Sequence, residues 1–197
     1  MAPQPFYQDR GTPIALRQVL EALSELGHRV DLLTFPVGQD IKLPGLRILR
    51  TANPFGFSRV PIGLSPQKLL LDVSLIRALR NLLRGERYAC VHALEEAAFP
   101  AAVLTRRNGI PLLYDMQSSL PEQLQQRWPF GMTPIRQSLD AAERWLLTRA
   151  DYVVSSAGLA ERVGRIAPMT PVREWRFPSH PVAADPAGAL ALRDELG

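Results

Sequence analysis

The stretch from residue 11 to residue 35 constrains the fold of this chain most strongly. Thr12 can cap a helix whose first turn accepts Pro13, and Gly27 can take the left-handed conformation that ends it. Between them, apolar residues recur at intervals of three and four, at Leu16, Val19, Leu20, Leu23 and Leu26. A buried strand is predicted directly afterwards, over Val30–Phe35. A glycine turn, a helix with one apolar face and a strand in this order predict the start of an α/β sheet, although no strand precedes the turn.

Short apolar runs alternate with helical patterns along the rest of the chain. The further strand candidates are Leu46–Arg50, Ala89–Ala93, Pro111–Asp115, Tyr152–Ser155 and Val172–Phe177. Helices are predicted over 65–84, 95–107 and 157–165 and from Thr133 onward, and residues 51–63 are predicted to be irregular. This alternation is typical of a Rossmann-like α/β fold, a mostly parallel sheet with helices on both faces.

The chain divides at residue 177 into a domain and a connector. Residues 1–177 have the length and the apolar content of one domain. Residues 178–197 begin with several prolines, which can continue neither a helix nor a central strand, and end in a short helical pattern with nothing to pack against. We expect this stretch to be an interdomain connector followed by the start of a truncated segment.

Charge, cysteine content and apolar run length limit which classes of partner and which compartment we expect for this chain. The net charge is +4, and the basic residues, nearly all arginine, are too scattered to form a face that follows nucleic-acid phosphates, so we expect no nucleic-acid partner. Cys90 is the only cysteine, which excludes an internal disulfide, and its apolar surroundings predict a buried, inert thiol. No stretch reaches the ~18 apolar residues of a membrane-spanning helix. We therefore expect a cytoplasmic protein.

Candidate binding residues follow the predicted strands, because open parallel sheets bind ligands beyond the carboxyl ends of their strands. The turn Arg10-Gly11-Thr12 lets a ligand approach the backbone at a helix start. His92 and Glu95 follow the apolar part of a second strand, which ends at Val91, while Asp115 ends a third strand and Gln117 and Ser118 follow it.

Each of these residues can also have a purely structural role instead of binding a ligand. The glycine turn can lack a ligand, Glu95 and its neighbour can stabilise a helix start, His92 can be structural, and Asp115 can act as a cap. Metal binding is not expected, since the histidines lie on separate segments without ligand spacing. A serine hydrolase is not supported either, because the chain has no Gly-x-Ser-x-Gly motif.

Several strings, taken together in order and spacing, resemble a known family. They are Ala2-Pro3-Gln4-Pro5-Phe6, Arg10-Gly11-Thr12-Pro13, the stretch 26–34, Tyr114-Asp115-Met116 and Ala150-Asp151-Tyr152-Val153-Val154. This set is similar to the N-terminal, acceptor-side domain of family four retaining glycosyltransferases, and the similarity covers nearly the whole chain. The resemblance implies one lobe of a GT-B architecture, in which two Rossmann-like domains face each other across a cleft.

The same resemblance implies a reaction and its participants. A sugar would move from a nucleotide-sugar donor, held mainly by a C-terminal domain, to an acceptor hydroxyl with retained anomeric configuration. Gly11 would lie near the donor phosphates, while His92, Glu95, Asp115 and Gln117 would line the acceptor side. No metal or other cofactor is implied, and stabilisation of the leaving diphosphate would supply much of the catalysis.

The chain departs from the family pattern in three ways. The first strand, which is central in this topology, is missing, so we expect two hydrogen-bonded ladders to be lost and a slot to open between its neighbours. Gln117 stands where many relatives have histidine, which puts its role in doubt. The C-terminal domain is absent as well, and we expect no transferase activity from this chain alone.

Two rival functions remain. One is a noncatalytic α/β module that binds a ligand or lies on a membrane surface, at the inner face for a cytoplasmic protein. Its best support is the leucine-rich helix that carries Arg77, Arg80 and Arg84, although such a helix can equally pack on the sheet with its arginines in solvent. The other rival is half of a sugar-nucleotide epimerase with the same architecture.

Overall fold

The computed structural model describes residues 1–8, 11–60, 65–124 and 132–175. The helices are α1 Gly11–Glu25, α2 Pro66–Gly85, α3 Ala98–Asn108, α4 Leu120–Leu124, α5 Thr133–Leu147 and α6 Ala157–Ile166. The strands are β1 Val30–Thr34, β2 Leu46–Arg50, β3 Val91–Leu94, β4 Leu112–Met116, β5 Tyr152–Ser155 and β6 Val172–Glu174. The predicted α/β alternation is confirmed. Arg10 and the predicted connector 178–197 lie outside the described residues.

Local signals account for the start of α2 and the end of α1. Ser65 caps α2, because its Oγ accepts a hydrogen bond from the Lys68 amide at 3.1 Å. Gly27 ends α1 with a φ of +77°, as predicted. The prediction that Thr12 caps α1 is wrong, since the helix already begins at Gly11. Pro13 is tolerated as the third helical residue because the first four amides of a helix lack intrahelical acceptors.

The strands form two parallel groups with a short segment between them. β1 pairs with β2, and the second group has the order β3-β4-β5-β6. Met1 and Ala2 lie between β1 and β3: the Ala2 amide donates to Leu33 O at 2.9 Å, and Met1 O accepts from the Leu94 amide at 3.0 Å. A cavity of about 360 Å³ is lined by Met1 and by residues of β1, β3, α1 and α2. The expected slot between the neighbouring strands is therefore present.

Helices cover both faces of the sheet, as predicted. On one face Leu33 and Ala93 belong to a buried cluster with residues of α2, α3, α5 and α6. On the other face Leu32 and Leu94 pack with Phe6 and α1. Side chains of parallel strands alternate between the faces, so both faces of a central strand must be apolar.

The first loop is fastened to the loop after β1. Gly38 has a φ of +129°, and a Cβ added there would lie 2.2 Å from Phe6 O. The amide of Tyr7 donates to Gln39 O at 2.7 Å, and the amide of Gln39 donates back to Tyr7 O at 3.1 Å. Only glycine allows the two backbones to come this close at position 38. The contact fixes the loop that leads to α1.

The prediction of a buried Cys90 is wrong. The thiol is exposed and lies on the slot wall, and β3 begins at Val91 rather than Ala89. A strand residue is buried only where strands and helices cover it, and the slot leaves this end of β3 open on one side. Whether Cys90 is exposed depends on whether a neighbouring strand covers it, and the local apolar pattern of the sequence carries no information about that.

Candidate active site

The predicted residues in and directly after β3 and β4 converge at one edge of the sheet, with His92 and Asp115 inside the strands and Glu95, Gln117 and Ser118 after them. These strands are parallel neighbours, with Leu94 opposite Asp115. His92 lies two residues before Leu94, so its side chain shares a face with that of Asp115. The carboxyl ends of the two strands therefore bring the second and third candidate sets together.

The Asp115 carboxylate joins two of these side chains. His92 Nε2 lies 3.2 Å from Asp115 Oδ2, and Gln117 Nε2 donates to Asp115 Oδ1 at 2.9 Å. The Asp115 side chain is 10% exposed and that of His92 is 26% exposed. In the neutral tautomer in which Nε2 donates to Asp115, His92 Nδ1 is left as an acceptor. Asp115 is thus not a simple helix cap but the centre of a polar group at the sheet edge.

Glu95 has the most unusual environment in this region. It follows β3 directly, opens a 3₁₀ turn over Glu95–Ala97 and has a φ of +50°, the only positive φ among the described non-glycine residues. Ser118 Oγ donates to its Oε2 at 2.8 Å. Burial raises the pKa of Glu95 to about 7, with smaller contributions in the same direction from the charges of Glu96 and Asp115. This carboxyl group can both donate and accept a proton near neutral pH.

A cation that sequence reasoning missed lies beside these carboxylates. Lys68 Nζ, from the first turn of α2, pairs with Glu96 and lies 3.6 Å from Asp72 Oδ2. Only two lysines occur in a chain rich in arginine, at positions 42 and 68, and this rarity is the signal that could have identified Lys68. It limits the excess negative charge around Glu95.

Gln4 is a second residue that sequence reasoning missed. It follows the Met1–Ala2 segment, and its Nε2 is buried without a hydrogen-bond partner among the described residues. Its backbone carbonyl accepts from Thr34 Oγ1 at 2.6 Å, which fixes the loop. A buried amide donor of this kind costs stability unless something accepts from it. No local sequence pattern indicates it.

The third missed group is the buried cluster of Ser119, Glu143 and Arg162. Glu143 Oε2 accepts from Ser119 Oγ at 2.7 Å, and its Oε1 accepts from Arg162 Nε at 2.7 Å. The Glu143 side chain is only 3% exposed. Its position on the apolar stripe of the predicted helix, four residues after Leu139, could have identified it. The cluster anchors the segment after β4 to α5 and α6.

The first candidate set is not joined to this cluster. Gly11 is exposed at the start of α1 and Thr12 is half-buried in its first turn. No hydrogen bond or ion pair between described residues connects either of them to His92 or Asp115. A Cβ added at Gly11 would meet no atom within 4 Å, and Gly11 is not among the described glycines with positive φ. Neither packing nor backbone conformation within the described residues requires glycine there.

Metal ligation finds no support among the described residues, in which no three histidine, cysteine, aspartate or glutamate side chains gather as metal ligands would. The carboxylates at the sheet edge are instead occupied by His92, Gln117, Ser118 and Lys68. The arrangement offers hydrogen-bond donors and acceptors for a polar, uncharged ligand.

Comparison with known proteins gives a consistent result. A family model described as a glycosyl transferase 4-like domain matches residues 10–184. The solved structure of sucrose-phosphate synthase from Thermosynechococcus elongatus matches with a TM-score of 0.61 and 19% identity, over 84% of this chain and 42% of that one. The chain thus spans less than half the length of that protein, and at this identity the likeness shows the fold alone, one lobe of the GT-B type. The comparison with curated proteins gave no match.

Proposed function

From the premise that the chain belongs to the glycosyl transferase 4-like family, we propose that it is the acceptor-side, N-terminal lobe of a retaining glycosyltransferase. The reaction moves a sugar from a nucleotide-sugar donor to an acceptor hydroxyl. A second lobe holds most of the donor, so the chain alone is inactive. Family membership favours a transferase over the epimerase alternative.

The environment of Glu95 is the observation that carries this proposal. A non-glycine residue at a φ of +50° is strained, at a cost of about 1–3 kcal/mol. Strain and a half-buried carboxyl group with a raised pKa, at the carboxyl end of a parallel strand, are typical of binding and catalytic sites. Neither feature helps the chain to fold, so a function for the site accounts for them best.

The acceptor binds at the polar groups after β3 and β4 in this proposal. A sugar hydroxyl both donates and accepts hydrogen bonds, and the site offers the Asp115 carboxylate, the Gln117 amide and the Glu95 carboxyl group. His92 is held by Asp115 in one orientation. These contacts orient a hydroxyl rather than bind a charged group.

The donor phosphates approach the start of α1 in this proposal. The first turn of this helix has no acidic residue, and the bare Gly11 leaves its amides accessible. Unpaired amides and the helix dipole favour an anion at a helix N-terminus. Arg10 and Thr12 adjoin this position in the sequence and are proposed to contact the same phosphates.

Titration of the isotope-labelled chain with neutral monosaccharides, followed by NMR, tests the acceptor site. We expect weak binding that shifts the amide signals of residues 92–95 and 115–118, and we expect Asp115→Asn to abolish these shifts. Glu161→Gln, on the exposed face of α6, is the matched control. Shifts that persist unchanged in Asp115→Asn, or an absence of binding at saturating sugar, would refute the acceptor assignment.

An activity assay tests the dependence on a second lobe. The chain is incubated with UDP-glucose or GDP-mannose and the same sugars, and release of nucleoside diphosphate is measured. We expect none. Turnover by the chain alone would contradict the proposed inactivity while leaving the assignment to a transferase intact.

Peripheral contact with a membrane is a second candidate function, favoured by the outer face of α2. Leu71, Leu75, Leu79 and Leu83 are buried against the sheet, as the packing interpretation predicts. Leu69, Leu70, Val73 and Ile76 nevertheless remain between 36% and 63% exposed. The exposed Arg77 and Arg80 adjoin this strip, a combination that suits an anionic lipid surface. Within the described residues no helix has the length and apolar character to cross a membrane.

Co-sedimentation with vesicles of phosphatidylcholine and phosphatidylglycerol tests this second function. We expect binding that weakens with salt and is lost in the double variant Leu69→Ser/Val73→Ser. Leu26→Ser is the matched control, because Leu26 is 73% exposed and lies outside α2, in the turn after α1. Equal binding by both variants, or none by the parent chain, would remove the membrane role.

A further inference from the structure

A cavity of about 300 Å³ lies between the ends of α3 and α5. Each of these helices returns the chain to the start of the next parallel strand, so the cavity lies at the edge where β4 and β5 begin. The candidate active site lies at the other edge, where the strands end. The residues that line the cavity are Ala102, Val103, Arg106, Arg107, Trp145 and Arg149. Within the described part of the chain, this lining holds three arginines and no acidic residue.

The three arginines of the cavity have no carboxylate partner. No ion pair between described residues includes Arg106, Arg107 or Arg149. Arg47 and Arg162, by contrast, each pair with more than one carboxylate. Guanidinium groups that share one concave surface repel each other, and an anion placed among them would relieve this repulsion.

Arg106 and Arg107 are not used to close the end of α3. Arginine side chains near a helix C-terminus can donate to its last carbonyl groups. Here the Gly109 amide donates to Arg106 O at 3.4 Å, and the Ile110 amide donates to Thr105 O at 3.1 Å. Neither guanidinium group donates a hydrogen bond to another described residue. Their donors are therefore available to a ligand.

Trp145 holds the third arginine in place. Arg149 Cζ lies 4.3 Å from the centroid of the Trp145 ring, and Arg149 Nη1 lies 3.5 Å from Trp145 O. The indole is itself stacked with Phe99, at 6.3 Å between ring centroids and 8° between ring planes. A guanidinium group on an aromatic face keeps its N–H groups at its edge, where they can bind the oxygens of an anion. Arg149 therefore loses little side-chain freedom when it binds one.

The chemistry of the lining favours a phosphate ester. The planar fork of guanidinium donors matches phosphate oxygens and binds them through charge-assisted hydrogen bonds. Val103, which is 39% exposed, and Trp145 add apolar surface to the same lining. An inorganic anion would leave this surface in water, whereas an ester would cover it with carbon atoms. A volume of about 300 Å³ is at the lower end of small-molecule sites, so the ester is small.

We propose that this cavity binds a small, soluble phosphate monoester. The phosphate group is held by Arg106, Arg107 and Arg149, and the organic part lies on Val103 and Trp145. A phosphate monoester carries about 1.5 to 2 negative charges at neutral pH, which suits a group of three arginines. The site is separate from the candidate active site, and this inference does not rest on the proposed function.

NMR titration of the isotope-labelled full chain with glycerol 1-phosphate tests the site. We expect saturable shifts in the signals of residues 102–107 and 145–149. The double variant Arg106→Gln/Arg149→Gln should weaken binding by at least about tenfold, because it removes two charged donors. The matched control, Arg165→Gln/Arg173→Gln, removes two exposed arginines outside the cavity and should bind like the parent chain.

Two further probes separate the possible sources of the phosphate group. Inorganic phosphate should bind more weakly than glycerol 1-phosphate, and vesicles of phosphatidylcholine with phosphatidic acid should not displace it. An absence of saturable shifts, or equal affinity in the two double variants, would overturn the site. Equal affinity for inorganic phosphate would overturn the assignment to an ester. Binding to the phosphatidic acid vesicles without binding of glycerol 1-phosphate would overturn the soluble ligand and assign the arginines to a lipid headgroup.

Discussion

Replacement of Glu95 by glutamine should change how stability depends on pH. Burial raises the pKa of Glu95 from 4.5 to about 7 in the folded chain. Below pH 4.5 the carboxyl group is protonated in both the folded and the unfolded states, and its contribution to stability is fully present. Between pH 4.5 and 7 the carboxyl group ionises in the unfolded state but stays protonated in the folded one, so stability falls over this interval, and the loss is complete once the pH has risen through 7.

The size of the effect follows from the same pKa change. A rise from 4.5 to about 7 corresponds to roughly 3 kcal/mol, and partial solvent access at Glu95 reduces this to about 1–2 kcal/mol. Glutamine has the same shape, keeps an acceptor for Ser118 Oγ and never ionises. Glu95→Gln should therefore match the parent chain near pH 4.5 and exceed its stability by about 1–2 kcal/mol at pH 8.

Urea unfolding followed by circular dichroism at several pH values between 4.5 and 8 measures this difference. Glu161→Gln removes an exposed carboxylate and serves as the control, with a profile parallel to that of the parent chain. If Glu95→Gln also gives a parallel profile, Glu95 is not a poorly solvated carboxyl group and the argument from burial fails.

Three further predictions concern a buried ion pair, a close backbone approach and a buried amide. Arg162→Met should lower the free energy of unfolding by about 3 kcal/mol in urea titrations, because it leaves the Glu143 carboxylate buried without its charged partner, and addition of Glu143→Leu should restore part of the loss. Gly38→Ala should cost more than about 2 kcal/mol in the same assay, since its Cβ would overlap Phe6 O, whereas Gly11→Ala should cost nothing measurable. Gln4→Leu should raise the melting temperature slightly, because it removes a buried donor without a partner, and a fall of several degrees would show that the amide is satisfied in solution.

Elements set by local interactions could be predicted from the sequence. The Ser65 cap, the left-handed Gly27 and the apolar stripe of α1 each depend on residues within one or two turns. The convergence of His92 and Asp115 was also predictable, because parallel strands end at a common edge.

Features that depend on distant neighbours could not be predicted. The exposure of Cys90 depends on a strand position beside β3, and the unpaired amide of Gln4 depends on the path of a whole loop. The left-handed conformation of Glu95 has no local signal, since glutamate seldom adopts it. The sequence therefore identified Glu95 as a candidate by its position after a strand, but it did not indicate the strained backbone that makes this residue informative.

His92 connects the candidate site to the slot. Its backbone carbonyl accepts from the Met1 nitrogen in the slot, while its side chain contacts Asp115 on the neighbouring strand β4. Three residues later the chain enters the strained turn at Glu95. The strain at Glu95 can persist only where the surrounding structure holds it, and the hydrogen bond from the Leu94 amide to Met1 O holds the backbone directly before this turn.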